Sequence, residues 1–204
     1  MAVNTQFIYK TITTLIFGTL VANQALAQQP KEPVYTGWSW SAHAGTLNLD
    51  SKVAEEQFIE DSAWVIGLAA ERYSSDSNLT FLIGLDFIGY SDELPFDQNT
   101  TDGWKESDAS AAMAYFEFGP KIPFGVDQTN YFIAHAGVSG IFSSERGISN
   151  CSNCYSEDID VSGGLYGALG VGPSFDSFDL GLQFQQYFSG DIDNSLRLRI
   201  SSSF

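Results

Sequence analysis

The sequence predicts an all-β fold: a closed, antiparallel, eight-stranded up-and-down transmembrane β-barrel. Three observations carry that prediction. From Tyr35 onward, stretches of about ten residues alternate apolar with small or polar side chains, separated by turn residues. Downstream of Ala27 no apolar run is long enough for a membrane helix, so a crossing has to be made by strands, which in hydrocarbon must close on themselves. The last stretch sets Leu196, Leu198, Ile200 and Phe204 on one face and Arg197, Arg199, Ser201 and Ser203 on the other. That pattern suits a wall with lipid outside and charge enclosed.

The first element is not a strand. Met1 to Ala27 has the layout of a secretory signal peptide: Lys10 is its only positive charge, Ile12 to Ala22 form an apolar core, and Ala25-Leu26-Ala27 offers a cleavage site. The apolar run falls short of the roughly 20 residues a membrane helix needs. No cysteine stands near the cleavage site, so a lipid anchor is not expected. Residues 28–204 then form one barrel domain.

The strands follow in order. The first, about Thr36 to Gly45, puts Trp38, Trp40, Ala42 and Ala44 outward and Ser39, Ser41, His43 and Gly45 inward. In the second, Trp64, Ile66, Leu68 and Ala70 oppose Ala63, Gly67, Ala69 and Glu71. The third runs from Leu79 to Tyr90, with Phe81, Ile83, Leu85 and Phe87 outward and Thr80, Gly84 and Asp86 inward. The fourth sets Ala112, Ala114, Phe116 and Phe118 against Met113, Tyr115 and Glu117. In the fifth, Phe132, Ala134, Ala136, Val138 and Phe142 oppose Tyr131, His135, Gly137 and Ser139. The sixth alternates Leu165, Gly167, Leu169 and Val171 with Gly164, Tyr166, Ala168 and Gly170. The seventh places Phe178, Leu180, Leu182, Phe184 and Phe188 against Asp179, Gly181, Gln183, Gln185 and Tyr187, and the eighth is the terminal stretch. Ten residues rising roughly 3.4 Å each at a tilt of about 45° cover near 24 Å, the height of the apolar band of such barrels.

Connections sort into two lengths. Short ones, Ser74 to Asn78, Gly119 to Thr129 and Gly172 to Ser177, are expected on the periplasmic side. Longer ones, Leu47 to Ser62, Ser91 to Asp108 and Ser143 to Asp160, with a brief one at Ser189 to Asn194, are expected outside the cell. Most acidic residues fall in these, so the outer rim is expected to be strongly negative. Outward aromatics gather near strand ends as girdles: Trp38, Phe118, Phe132, Phe178 and Phe204 at one end, and Trp64, Phe87, Phe142 and Phe188 at the other. The segment Ala42-His43-Ala44-Gly45 recurs as Ala134-His135-Ala136-Gly137, an echo that a four-plus-four duplication and shared strand composition explain equally well.

The balance of 25 acidic against 9 basic residues, a formal charge of −16, excludes a nucleic-acid binder, which needs cations to replace phosphate counterions. Inside an eight-stranded barrel there is room for side chains and little else. Inward charges must therefore pair, and Arg197 and Arg199 are expected to meet Glu71, Asp86, Glu117 and Asp179 in an ion-pair network that plugs the lumen. His43 and His135 point inward by phase on opposite strands, where the two rings could approach across the lumen. With no further His or Cys nearby in the pattern, hydrogen bonding is expected of them rather than a metal site, and no cofactor is expected. Cys151 and Cys154 are expected to form an oxidised loop staple after export, of small and local effect. Loop carboxylates such as Asp92, Glu93 and Asp97 suit divalent cations in kind, although no EF-hand loop is present.

The terminal segment Leu196-Arg197-Leu198-Arg199-Ile200-Ser201-Ser202-Ser203-Phe204, the turn Phe118-Gly119-Pro120-Lys121, and Leu169-Gly170-Val171-Gly172 entering another turn carry a resemblance. With the strand pattern, they make the mature chain resemble the small outer-membrane barrel superfamily of the OmpA transmembrane domain, OmpX and the opacity-type surface proteins. The resemblance implies a monomer in the outer membrane of a Gram-negative bacterium, in contact with lipid and lipopolysaccharide. It also implies that Phe204 marks the last strand for the barrel-assembly machinery. Ser202 departs from the pattern, because an aromatic or aliphatic residue is usual there. The role expected is structural or surface-interacting, through acidic outer loops; a narrow channel is the alternative, and a lipid A-modifying enzyme the third. The lipid A deacylase family presents a His and a Ser two residues apart on its lipid-facing surface. Here His135 is followed by Ala136 and Gly137, and His43 by Ala44 and Gly45, so no catalysis is expected.

Overall fold

The computed structural model describes residues 37–100, 103–148, 151 and 154–203. The signal peptide expected at Met1 to Ala27 and the terminal Phe204 lie outside them. The described chain forms β1 (Gly37–Leu49), a short helix α1 (Ser51–Gln57), β2 (Ile59–Ser74), β3 (Leu79–Asp92), β4 (Asp97–Thr100) and β5 (Gly103–Glu106). It continues with β6 (Asp108–Phe124), β7 (Asn130–Gly147), β8 (Ser156–Asp158), β9 (Leu165–Pro173), β10 (Phe178–Tyr187) and β11 (Ile192–Ser203). Eight of these strands make the wall, in the order β6-β3-β2-β1-β11-β10-β9-β7, and β6 pairs with β7 to close it. Every wall pairing is antiparallel. Closure gives every wall strand a hydrogen-bonded neighbour on both sides, so the barrel has no free edge strand.

The register fixes which side chains share the lumen. Where the first and last wall strands meet, His43 stands opposite Arg199 and Gly45 opposite Arg197. Gly45 is required there, because a Cβ would collide with the Leu196 carbonyl.

The strand ends differ from the sequence expectation in two places, each with a physical cause. Gly119 to Thr129 is expected to be a connection, yet β6 runs on to Phe124 and the turn is confined to Gly125 to Thr129, with Val126–Gln128 as one 3-10 turn. Glycine and proline signal a turn in sequence. Here Gly119 instead permits the close approach of the Ala134 carbonyl, and Gly119 and Pro120 fall where the β6–β7 pairing is interrupted between Phe118 and Lys121.

The long connections are also more ordered than a loop pattern suggests. β2, β3, β6 and β7 are 14 to 18 residues long, longer than the ten or so residues expected of each strand. Asp50 caps α1, accepting from the amides of Lys52 and Val53, and Phe58 closes it in a left-handed conformation. β4 and β5 form a separate two-stranded hairpin, and β8 adds to the outer end of β7.

At the loop end the lumen is apolar. Leu47, Val65, Ile88 and Met113 are completely buried there, with Ala54 of α1 and Ile159 and Val161 of the third long connection packed over them. Below it the lumen is mostly polar, with a small apolar cluster of Ala69, Leu82 and Tyr115.

Candidate functional site

Two surfaces could do work in such a molecule, the lumen and the loop end, and the strands position both. On β11 the inward positions descend from Ile192 through Ser195, Arg197 and Arg199 to Ser201, all of them buried. Arg197 meets Asp86 of β3 at 2.8 Å, approaches the His43 ring at 3.2 Å, and its Nε donates to Ser195 at 3.0 Å. Its guanidinium also lies over the Tyr115 ring, 5.5 Å from the centroid. Asp86 in turn is hydrogen-bonded to His43 Nε2 at 2.8 Å.

One step lower, Arg199 donates to Glu71 at 2.6 Å. Lys121 bridges from there to the turn end, donating to Asp179 at 2.7 Å and reaching Glu71 at 3.5 Å. The Lys121 ammonium also lies 4.9 Å from the Tyr131 ring centroid. Beside them Glu117 accepts from Tyr166 (3.0 Å), Gln183 (2.9 Å) and Gln185 (2.8 Å), and pairs with His135 Nδ1 at 3.1 Å. Four donors around one carboxylate compensate for its loss of water.

The six charged residues singled out in the sequence therefore fall into separate groups: Arg197 with Asp86, Arg199 with Glu71, Glu117 with neutral partners and His135 rather than an arginine, and Asp179 with Lys121 rather than an arginine. His43 and His135 do not meet as a pair; each takes its own carboxylate. Among the described residues no group of three or more His, Cys, Asp or Glu is placed to hold a metal ion.

Two charged residues escaped the sequence pattern. Lys121 was lost in what read as a turn, although it keeps the phase of Tyr115 and Glu117. Arg146 was lost because a β-bulge at Phe142 inserts one residue into β7 between Ile141 and Ser143. That extra residue shifts the phase, so an even position turns inward.

Arg146 organises the loop end. Only 3% exposed, its Nε donates to both Asp92 oxygens at 2.8 Å, Nη1 reaches Glu157 at 3.2 Å, and Nη2 donates to the carbonyls of Gln57 and Phe58 at 3.0 and 3.1 Å. Burial opposes its charge, but the Asp92 and Glu157 carboxylates outweigh that and raise its pKa. One side chain thus ties the three long connections together. Further bonds follow the same plan: the Asp160 amide donates to Gln57, and the Tyr155 amide to Gln98. Cys151 and Cys154 are joined by a disulfide in the third of these connections.

The outer wall is the reverse of a soluble protein's. Leu68 is 65% exposed and Leu198 56%, while Arg197 between Leu196 and Leu198 is 2% exposed. Trp38, Phe81 and Phe116 form a contiguous aromatic row toward the turn end, with the Arg72 guanidinium 5.8 Å from the Trp38 ring, and Trp64 packs on Phe87 toward the loop end. Between those rows the outward side chains on β2 and β3 are Ile66, Leu68, Ala70, Ile83 and Leu85. The wall is built inside out.

No protein-family model matches the chain, and no curated protein matches it in sequence. Among solved structures the chain is similar to Neisserial surface protein A, with a TM-score of 0.45 and 10% identity over 82% of this chain and 96% of that one.

Proposed function

We propose that the chain is a non-conducting integral barrel of a Gram-negative outer membrane, and that its work is done by the ordered, acidic loop end that faces out of the cell. The apolar outer wall with charge enclosed supports the membrane setting. Export through a signal peptide at Met1 to Ala27, recognition of Phe204 by the assembly machinery, a monomeric state and contact with lipopolysaccharide belong to the same proposal.

The observation that carries the non-conducting role is the filled lumen. Arg197, Glu117 and Met113, which point into the interior, are 2%, 1% and 0% exposed, which supports a lumen plugged by its own side chains. Both histidines are enclosed and engaged with carboxylates, which supports a non-catalytic role. Conductance in planar bilayers tests this reading. Purified folded protein is expected to give no unitary currents at any voltage the bilayer withstands; reproducible steps that scale with salt would overturn it.

A further inference from the structure

Loop carboxylates alone are ordinary on an exported protein, but the β4–β5 hairpin shows more. Its register places Asp97 directly opposite Glu106, and Asn99 opposite Trp104. Paired residues of an antiparallel ladder share a face, and so do alternate residues along one strand. Asp97, Asn99, Trp104 and Glu106 therefore stand together on one face, and all four are exposed, Trp104 by 73%. Gln98, Thr100 and Lys105 share the other face and are partly covered. That second face is the docked one: Gln98 accepts from the Tyr155 amide at 3.0 Å, and Phe96 packs edge-on against Tyr155 with centroids 5.3 Å apart. The base of the hairpin is fastened as well, by the Ser107 amide to the Phe96 carbonyl and the Phe96 amide to Ser107 Oγ.

Two features of the free face work against the protein's own stability. Like charges directly opposite each other on a ladder destabilise it, and a tryptophan held in water forgoes the burial that its size would reward. Held rigid, they make a recognition surface for a cation: an indole face to stack on, and two carboxylates within reach of the same group.

We propose that this face of the hairpin docks a cationic peptide segment of an external protein, with a guanidinium or ammonium group over Trp104 and neighbouring basic side chains at Asp97 and Glu106. The inference rests on the outward-facing loop end proposed above and names the class of partner it takes. Arginine suits the site best, because its planar guanidinium both stacks on indole and pairs bidentately with carboxylate.

The test uses the full folded barrel and a fluorescent nona-arginine peptide, read by anisotropy. Three variants are compared with the parent: Trp104→Ala, the double change Asp97→Asn with Glu106→Gln, and the double change Glu60→Gln with Asp61→Asn. The last removes the same charge from exposed positions at the start of β2. Heat-modifiable gel mobility verifies that each variant is folded. The first two are expected to weaken binding by about tenfold or more, and the third by less than about twofold. Equal weakening by both charge changes, with Trp104→Ala silent, would mean diffuse attraction to an acidic rim and overturn the hairpin assignment. Absence of any peptide binding would overturn it too. Neither result touches the non-conducting role, which the bilayer recordings decide separately.

Discussion

Replacing Arg197 with methionine is the sharpest perturbation of the lumen. Methionine matches the arginine stem in length and leaves the Tyr115 contact partly intact, so the change removes the guanidinium with its polar contacts to Asp86, His43 and Ser195 while keeping most of the packing. It strips Asp86, whose side chain is fully buried, of its guanidinium partner at 2.8 Å and leaves only His43. Removing one partner of a buried pair costs about 3 to 5 kcal/mol, because the remaining charge stays desolvated. Removing both is far cheaper, so Arg197→Met with Asp86→Asn is expected to recover about half of that loss or more. Urea unfolding in lipid vesicles, followed by tryptophan fluorescence, measures both. At a slope of roughly 2 kcal/mol per molar urea, the single variant's midpoint falls by about 2 M and the double variant's by under about 1 M. A single-variant loss below about 1 kcal/mol, or strictly additive losses, would refute the claim that these groups are coupled in a dry lumen.

Other changes probe other parts. Arg146→Met releases Asp92, Glu157 and two backbone carbonyls at once, so protease cleavage at Lys52 and Lys105 is expected to accelerate severalfold while the barrel itself stays folded; unchanged shaving would mean that Arg146 does not hold the loops together. Gly84→Ala drives a Cβ into the Tyr115 ring and is expected to cost about 1 to 3 kcal/mol in the same urea assay, with Tyr115→Leu relieving part of it. Glu117→Gln turns an amide NH2 toward Tyr166, Gln183 or Gln185 and is expected to cost about 1 to 3 kcal/mol; a neutral outcome would show that the carboxylate is not satisfied by those donors.

The faces of the wall were legible in the sequence because a strand's side chains have period two and both environments are extreme. Lipid tolerates Leu198 and not Arg197, so adjacent residues declare opposite sides. The inward carboxylates Glu71, Asp86 and Glu117 followed from phase alone. What failed was the reading of strand ends. Glycine and proline at 119 and 120 signal a turn, but whether the chain turns depends on a neighbour's carbonyl that only the folded register supplies. Phase counting breaks at the Phe142 bulge, which hid Arg146. Beyond the apolar outer band the code inverts: Leu47, Ile59 and Ile192 point inward as in any soluble domain. That switch is why the long connections read as featureless loops although Ile159 and Val161 pack into the apolar cap.

Site-directed spin labelling along β11 in lipid vesicles tests the central geometry most directly. Labels at 196, 198 and 200 should collide freely with oxygen dissolved in the acyl chains, while labels at 195 and 201 should be shielded from both oxygen and a water-soluble nickel reagent, giving an oscillation of period two. Free access of the nickel reagent to 196, 198 and 200, or no oscillation at all, would contradict a wall whose leucines face lipid and whose arginines are enclosed.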